Sequence, residues 1–222
     1  MVEYAGDRWP LTAGQLGIWN AQLLEPHSAA YNIAEYVEFR GPLDVDTFLS
    51  ALCRLVEEAD LAQVRFEIAD DGSVTQRFAP DPQWRPVLVD LRGEAEPQAA
   101  AEAWMRDDVR RPVDLLKGPL FTQALLVVGD SRSLWYQRVH HIIGDGYSGS
   151  LMVARCAQIY TALTRGTPAE EGAFPAFRSA VPCRGPGPTC STRVWSSARP
   201  VWPASSTCRG RDWPAATSAA LD

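Results

Sequence analysis

Lysine is almost missing from this chain: 20 of its 21 basic residues are arginine, and only Lys117 is lysine. With abundant Ala, Gly and Pro, that skew fits a GC-rich coding sequence and carries no functional information. No apolar run approaches the roughly eighteen residues that a spanning helix needs. Met1 to Pro10 hold acids and no apolar stretch, which excludes a secretory signal and leaves a cytoplasmic, soluble protein as the expectation. The five cysteines show no CxxC spacing and no neighbouring histidines, so no zinc site is expected. Cys53 and Cys156 fall in apolar helical patterns and read as small core residues. A Walker loop and a Gly-rich dinucleotide fingerprint are also absent, so no directly bound cofactor is expected. Residues 1–177 carry 25 acids against 15 bases, the wrong balance for a nucleic-acid footprint.

Hydrophobic residues make up 46% of the 222, enough for a sizeable core. Thr12 caps a first helix, along which Leu16, Trp19, Leu23 and Leu24 recur near helical spacing. Tyr31 to Phe39 alternates as a half-buried strand does, and Gly41-Pro42 breaks it. Asp44 or Asp46 caps the clearest helix, with Phe48, Leu49, Leu52, Leu55, Val56 and Ala59 on one face. Residues 62–68 and 74–78 read as a hairpin around Asp70-Asp71-Gly72. Pro86 to Asp90 reads as a strand and Glu94 to Arg111 as a helix. Pro119 to Val128 and Ser133 to His141 read as strands joined by Gly129-Asp130. A last helix, Tyr147 to Thr164, closes at Gly166. This mixed order is that of an α+β fold.

One short run carries chemistry: His140-His141-Ile142-Ile143-Gly144-Asp145-Gly146. Adjacent residues on a strand point to opposite faces, so the two histidines do not chelate one metal together. A histidine at a strand end can take a proton from an amine near neutral pH. A carboxylate four residues later can lock the loop by pairing with a buried arginine, or simply cap the helix that follows. Gly146 is expected to supply a backbone conformation closed to other residues.

The full pattern, His-His-x-x-x-Asp-Gly followed by an aromatic and Ser148, resembles the signature of condensation domains in nonribosomal peptide synthetases. Leu11 to Trp19, with Gln15 and Trp19 in place, resembles that family's opening segment. Ala59 to Phe66 resembles its second motif. The resemblance spans about residues 10–177, and three ordered motifs make it specific. Trp135-Tyr136-Gln137-Arg138 and Ala59-Asp60 lean toward first condensation domains of siderophore synthetases of the enterobactin type. There the donor is often an aryl acid on a carrier protein and the acceptor an aminoacyl carrier.

The resemblance implies one of two chloramphenicol-acetyltransferase-like halves that form a V around a tunnel. It implies a catalytic His141 facing the tunnel, and a Gly146 whose N–H lies near the thioester carbonyl. His140 and Asp145 become structural, Asp145 through an arginine. Partners would be peptidyl or aryl carrier proteins bearing phosphopantetheine, together with other synthetase modules; nucleic acid and membrane are not expected. Departures stand at Glu58-Ala59-Asp60, where the family has Arg-His-Glu, and at Gln63, where the arginine is expected. Arg65, two residues on and on the same strand face, is the candidate substitute; if neither serves, Asp145 lacks its partner. A coenzyme A-dependent acyltransferase with a HxxxD motif is disfavoured by the paired histidines and the opening segment.

The expected layout is a folded unit over 1–166, a linker over 167–177 and an unstructured tail over 178–222. The tail holds six prolines and three tryptophans, but one leucine and no isoleucine, phenylalanine or methionine. Such content cannot offset the entropy of ordering. The tail reads as out-of-frame translation, with a Pro/Ser-rich linker as the rival reading. If so, the chain is a truncated half-domain that at most binds carrier protein unless the second half is supplied.

Overall fold

Alternating residues in the first quarter of the chain and near its centre build most of one sheet, and helical stripes cover both its faces. The computed structural model describes residues 8–168 and 217–220. Its elements are β1 (Arg8–Pro10), α1 (Ala13–Leu24), β2 (Asn32–Arg40), α2 (Val45–Glu58), β3 (Val64–Ile68), β4 (Val74–Phe78), β5 (Val87–Asp90), α3 (Pro97–Val109), β6 (Phe121–Gly129), β7 (Arg132–His140), α4 (Gly146–Arg165) and β8 (Thr217–Ala220). A 3-10 turn, Asp60–Gln63, joins α2 to β3. No helix among the described residues is long and apolar enough to cross a membrane.

The main sheet runs β5-β6-β7-β2-β8, and a small one runs β1-β4-β3. The β5–β6 pair is parallel; all other pairs are antiparallel. One face of the main sheet presents Val37, Phe39, Leu125, Val127 and Trp135 to Phe48, Leu52, Leu55, Cys156 and Ile159 of α2 and α4. The other face presents Ala124, Leu126, Leu134 and Tyr136 to Ala101 and Met105 of α3. A third cluster, including Trp19, Val64, Phe66, Phe121, Ile142 and Ile143, ties α1 and the small sheet to the end of β7. Charge completes the α2–α4 contact. Arg155, 5% exposed, holds Glu58 through two bonds of 2.7 and 3.1 Å, and Arg54 joins the same carboxylate.

Most expected elements are present, with ends shifted by a few residues. Asp44, not Asp46, caps α2 by accepting from the Thr47 N–H at 3.0 Å. Gly166 ends α4 at φ 64, a left-handed conformation that glycine adopts freely. The helix expected from Glu94 begins at Pro97, because proline fits the first helical position. On α1 only Trp19 and Gln22 are buried, and Leu16, Leu23 and Leu24 are exposed. Cys156 is buried as expected, whereas Cys53 is only partly so.

The tail departs from expectation at one place. Thr217–Ala220 lies antiparallel along β2, with Ala220 opposite Glu35. An edge strand offers unpaired N–H and C=O groups to any extended segment, so pairing there asks little of side-chain pattern. The rest of the expected linker and tail, 169–216 and 221–222, lies outside the described residues.

Candidate active site

The His-His loop leaves the main sheet at the end of β7, where three motifs far apart in sequence converge. The His140 N–H donates to the Leu120 carbonyl at 2.8 Å, and the His141 N–H donates to Tyr31 at 2.7 Å. Both neighbouring strands thus hold the loop's backbone. From the opening segment, Gln15 closes a capping box with Thr12 and also donates to the Ile142 carbonyl at 3.2 Å. Trp19, 2% exposed, packs on Phe66 of the second motif with ring centroids 5.8 Å apart.

The two histidines differ in burial and in tautomer. His140 is 2% exposed. Its Nδ1 accepts from the Ile142 N–H at 3.3 Å, so the proton sits on Nε2, which donates to Gln22 Oε1 at 3.4 Å. Gln22 in turn donates to the carbonyls of Glu25, Pro26 and Ser28, which fastens the α1–β2 connection to the loop. His141 is exposed, and its Nδ1 lies 2.8 Å from the Gly144 carbonyl. A carbonyl cannot donate, so Nδ1 carries the proton and Nε2 presents a bare lone pair outward.

Burial above all, then Arg138 and His141, pushes the His140 imidazole down to about 4. The unfolded chain titrates near 6.5. The fold holds the neutral ring, so its contribution is complete above pH 6.5 and is lost as pH falls through 4. The loss amounts to about 3 kcal/mol. His140→Gln keeps a polar group without titrating in this range. Urea unfolding between pH 7 and pH 4 is expected to weaken the wild type by that amount more than the variant. Parallel pH profiles would refute the assignment.

Asp145 does not meet an arginine. It is the N-cap of α4, accepting from the Ser148 N–H at 2.8 Å and the Ser148 hydroxyl at 2.7 Å. Burial pushes its carboxyl up; the Ser148 bonds and His141 outweigh this and hold it below the ordinary range. With its partners inside the first turn of α4, the carboxylate has no need of a cation. Capping of this kind is worth about 1 kcal/mol. Arg65 instead donates to the Val64 carbonyl at 2.9 Å and lies against Gly118. With Trp84, Arg85, Cys53 and Phe121 it borders a cavity of about 420 Å³. Gln63 caps the end of α2, donating to Val56 and Glu57 at 3.0 Å each.

The glycine roles also exchange. Gly146 is the first residue of α4, has no positive φ, and has open space where a Cβ would stand. Its N–H is one of those a helix start leaves without an internal partner. Gly144 is the packed one: a Cβ there would stand 3.3 Å from Val139 Cγ2.

Sequence reasoning missed a buried network under the loop. Arg138 Nε meets Asp108 Oδ2 at 2.7 Å, Tyr136 donates to the same oxygen at 3.1 Å, and Arg138 Nη2 donates to Thr122 at 2.6 Å. The signal was an arginine inside the β-prone run of residues 134–139, where a charge needs a buried partner.

Comparison with known proteins gives the family. The condensation-domain family model matches residues 6–181. The isonitrile lipopeptide synthase of Streptomyces coeruleorubidus is 46% identical over 168 residues, 76% of this chain and 11% of that protein. Enterobactin synthase component F of Shigella flexneri is 35% identical over 174 residues, 78% of this chain and 13% of that protein. The starter condensation domain of rhizomide synthetase superposes with a TM-score of 0.72 at 44% identity, covering 77% of this chain and 41% of that one. That domain has also been solved, as a variant, with C8-CoA and Leu-SNAC. The chain therefore spans less than half of a solved starter domain and about a tenth of the lipopeptide synthase. The chain belongs to the condensation-domain family of nonribosomal peptide synthetases.

Proposed function

We propose that this chain supplies the histidine-bearing half of a domain that joins a carrier-bound acyl thioester to a carrier-bound aminoacyl amine. The observation that carries it is the bare Nε2 of His141, fixed by the Nδ1–H bond to the Gly144 carbonyl just before the start of α4. The amine nitrogen attacks the thioester carbon and gives its proton to Nε2 as the C–N bond forms. The C–S bond then breaks, and the leaving thiolate takes that proton. The Gly146 N–H, at the start of α4, would be the donor to the developing oxyanion. Both substrates would arrive on phosphopantetheine arms of carrier proteins.

For the donor, an aliphatic acyl group is the better reading than the aryl acid of a siderophore pathway. Supporting it are the higher identity to a lipopeptide synthase than to an enterobactin synthase and the C8-CoA complex of the starter domain. Fusing residues 1–168 to the second half of that starter domain provides the test. Amide formed from octanoyl carrier protein, in preference to benzoyl carrier protein, is the expected product. A benzoyl preference would restore the aryl reading. A fusion that binds both carriers yet makes no amide would leave a binding half-domain.

A further inference from the structure

On the sheet face under α2 and α4, neighbouring rows across β2, β7 and β6 are apolar: Ile33–Val139–Phe121 and Val37–Trp135–Leu125. Between them one row is wholly polar, with Glu35, Gln137 and Gln123 directly opposite one another. Gln123 and Gln137 are 4% and 6% exposed. Trp135 Nε1 donates to Gln123 at 2.7 Å, Gln123 to Gln137 at 3.5 Å, and Gln137 to Glu35 Oε1 at 2.6 Å. All three bonds point one way and end on a half-buried carboxylate. Burial raises its pKa and the Gln137 amide lowers it, and no cation contributes among the described residues.

Position 149 makes room for this carboxylate. Gly149 of α4 packs against Glu35, and a Cβ there would overlap Oε1. Stability does not explain the row, because an apolar row of similar shape avoids the desolvation cost. Its place in the fold does point somewhere. Gly149 follows His141 by eight residues, and Gln137 precedes it by four, on the strand that ends at His140. Four residues of strand span about 13 Å, too far for Glu35 to touch the reacting carbon. A substrate side chain covers that distance.

We propose that Glu35 is a specificity-determining residue that binds an alkylammonium group carried by a substrate several bonds from its reacting centre. This rests on the acyl-transfer reading above. The ammonium can come from a basic acceptor side chain or from an amino-substituted acyl donor. Four N-acetylcysteamine thioesters separate the sources: ornithyl against leucyl, and 6-aminohexanoyl against hexanoyl, each titrated calorimetrically into the 222-residue chain. In one pair the charged probe is expected to bind about tenfold more tightly, the effect of one partly desolvated charge pair. Glu35→Gln, which keeps the Gln137 bond, brings that ratio to about one. Gly149→Ala, which displaces the carboxyl, lowers it with Glu35 still present. A preference that survives Glu35→Gln overturns the site. Neutral probes that bind with no ammonium preference overturn the role of Glu35 and leave acyl transfer standing. A chain that binds none of the four overturns both.

Discussion

Asp108→Ala is expected to lower the unfolding free energy by about 3–5 kcal/mol, the cost of leaving a buried charge without its partner. The Asp108 and Arg138 side chains are 7% and 6% exposed, and they meet at 2.7 Å. The arginine is already short of one partner, since its Nη1 is buried without a hydrogen bond among the described residues. Removing Asp108 strips the Nε bond as well and leaves the Tyr136 hydroxyl, whose pKa burial and Asp108 together raise, with a long 3.5 Å bond to the Met105 carbonyl. Urea denaturation followed by circular dichroism measures the loss. A loss of about 1 kcal/mol, the worth of an exposed pair, would refute the assignment. Replacing both residues, Asp108→Leu with Arg138→Met, is expected to recover most of it, because an apolar pair carries neither desolvation cost.

That network also shows where sequence reading stops. Arg138 and Asp108 are 30 positions apart, and Arg155 and Glu58 are 97 apart. Periodicity places each residue on a face of its own element; it does not say which distant element will cover that face. α2 was legible because its apolar stripe and a cap at Asp44 or Asp46 are local; the 3-10 turn that follows it was not read. The sheet was legible as strands, while its order, with β2 beside β7 and β5 parallel to β6, needed the long-range pairing.

The same limit left two readings of Asp145 open, a pair with Arg65 or a cap on α4. Strand alternation gave the face that Arg65 shares with Gln63, but reach and competition decide partners. Asp145 had nearer donors in Ser148. For Gly146, the sequence signal was a pair of glycines around an aspartate, and either one could have been the constrained position. The turn of the loop back onto Val139, five residues earlier in β7, selects Gly144. The tautomers of His140 and His141 were equally out of reach, because each follows from a backbone group that only the folded loop brings near.

In the fused domain, His141→Ala is expected to slow amide formation by about a hundred- to ten-thousand-fold, the range of a positioned acid–base group. Three features set that size. The ring is exposed, so it can reach a substrate. Its Nδ1 proton is committed to Gly144, so only Nε2 is free to accept. Its strand-end backbone is held by Tyr31, so the ring needs little reorganisation when an amine arrives. Because the side chain is exposed, the variant should keep the wild-type melting curve, which separates lost chemistry from lost folding. The Michaelis constants for both carriers should stay near wild type if the ring acts on the chemical step alone. His141→Gln then divides two mechanisms. If the ring transfers a proton, Gln is as slow as Ala; if it only orients the amine by a hydrogen bond, Gln recovers much of the rate. Unchanged turnover in His141→Ala would remove the histidine from the chemistry and leave the chain as a surface for carrier binding.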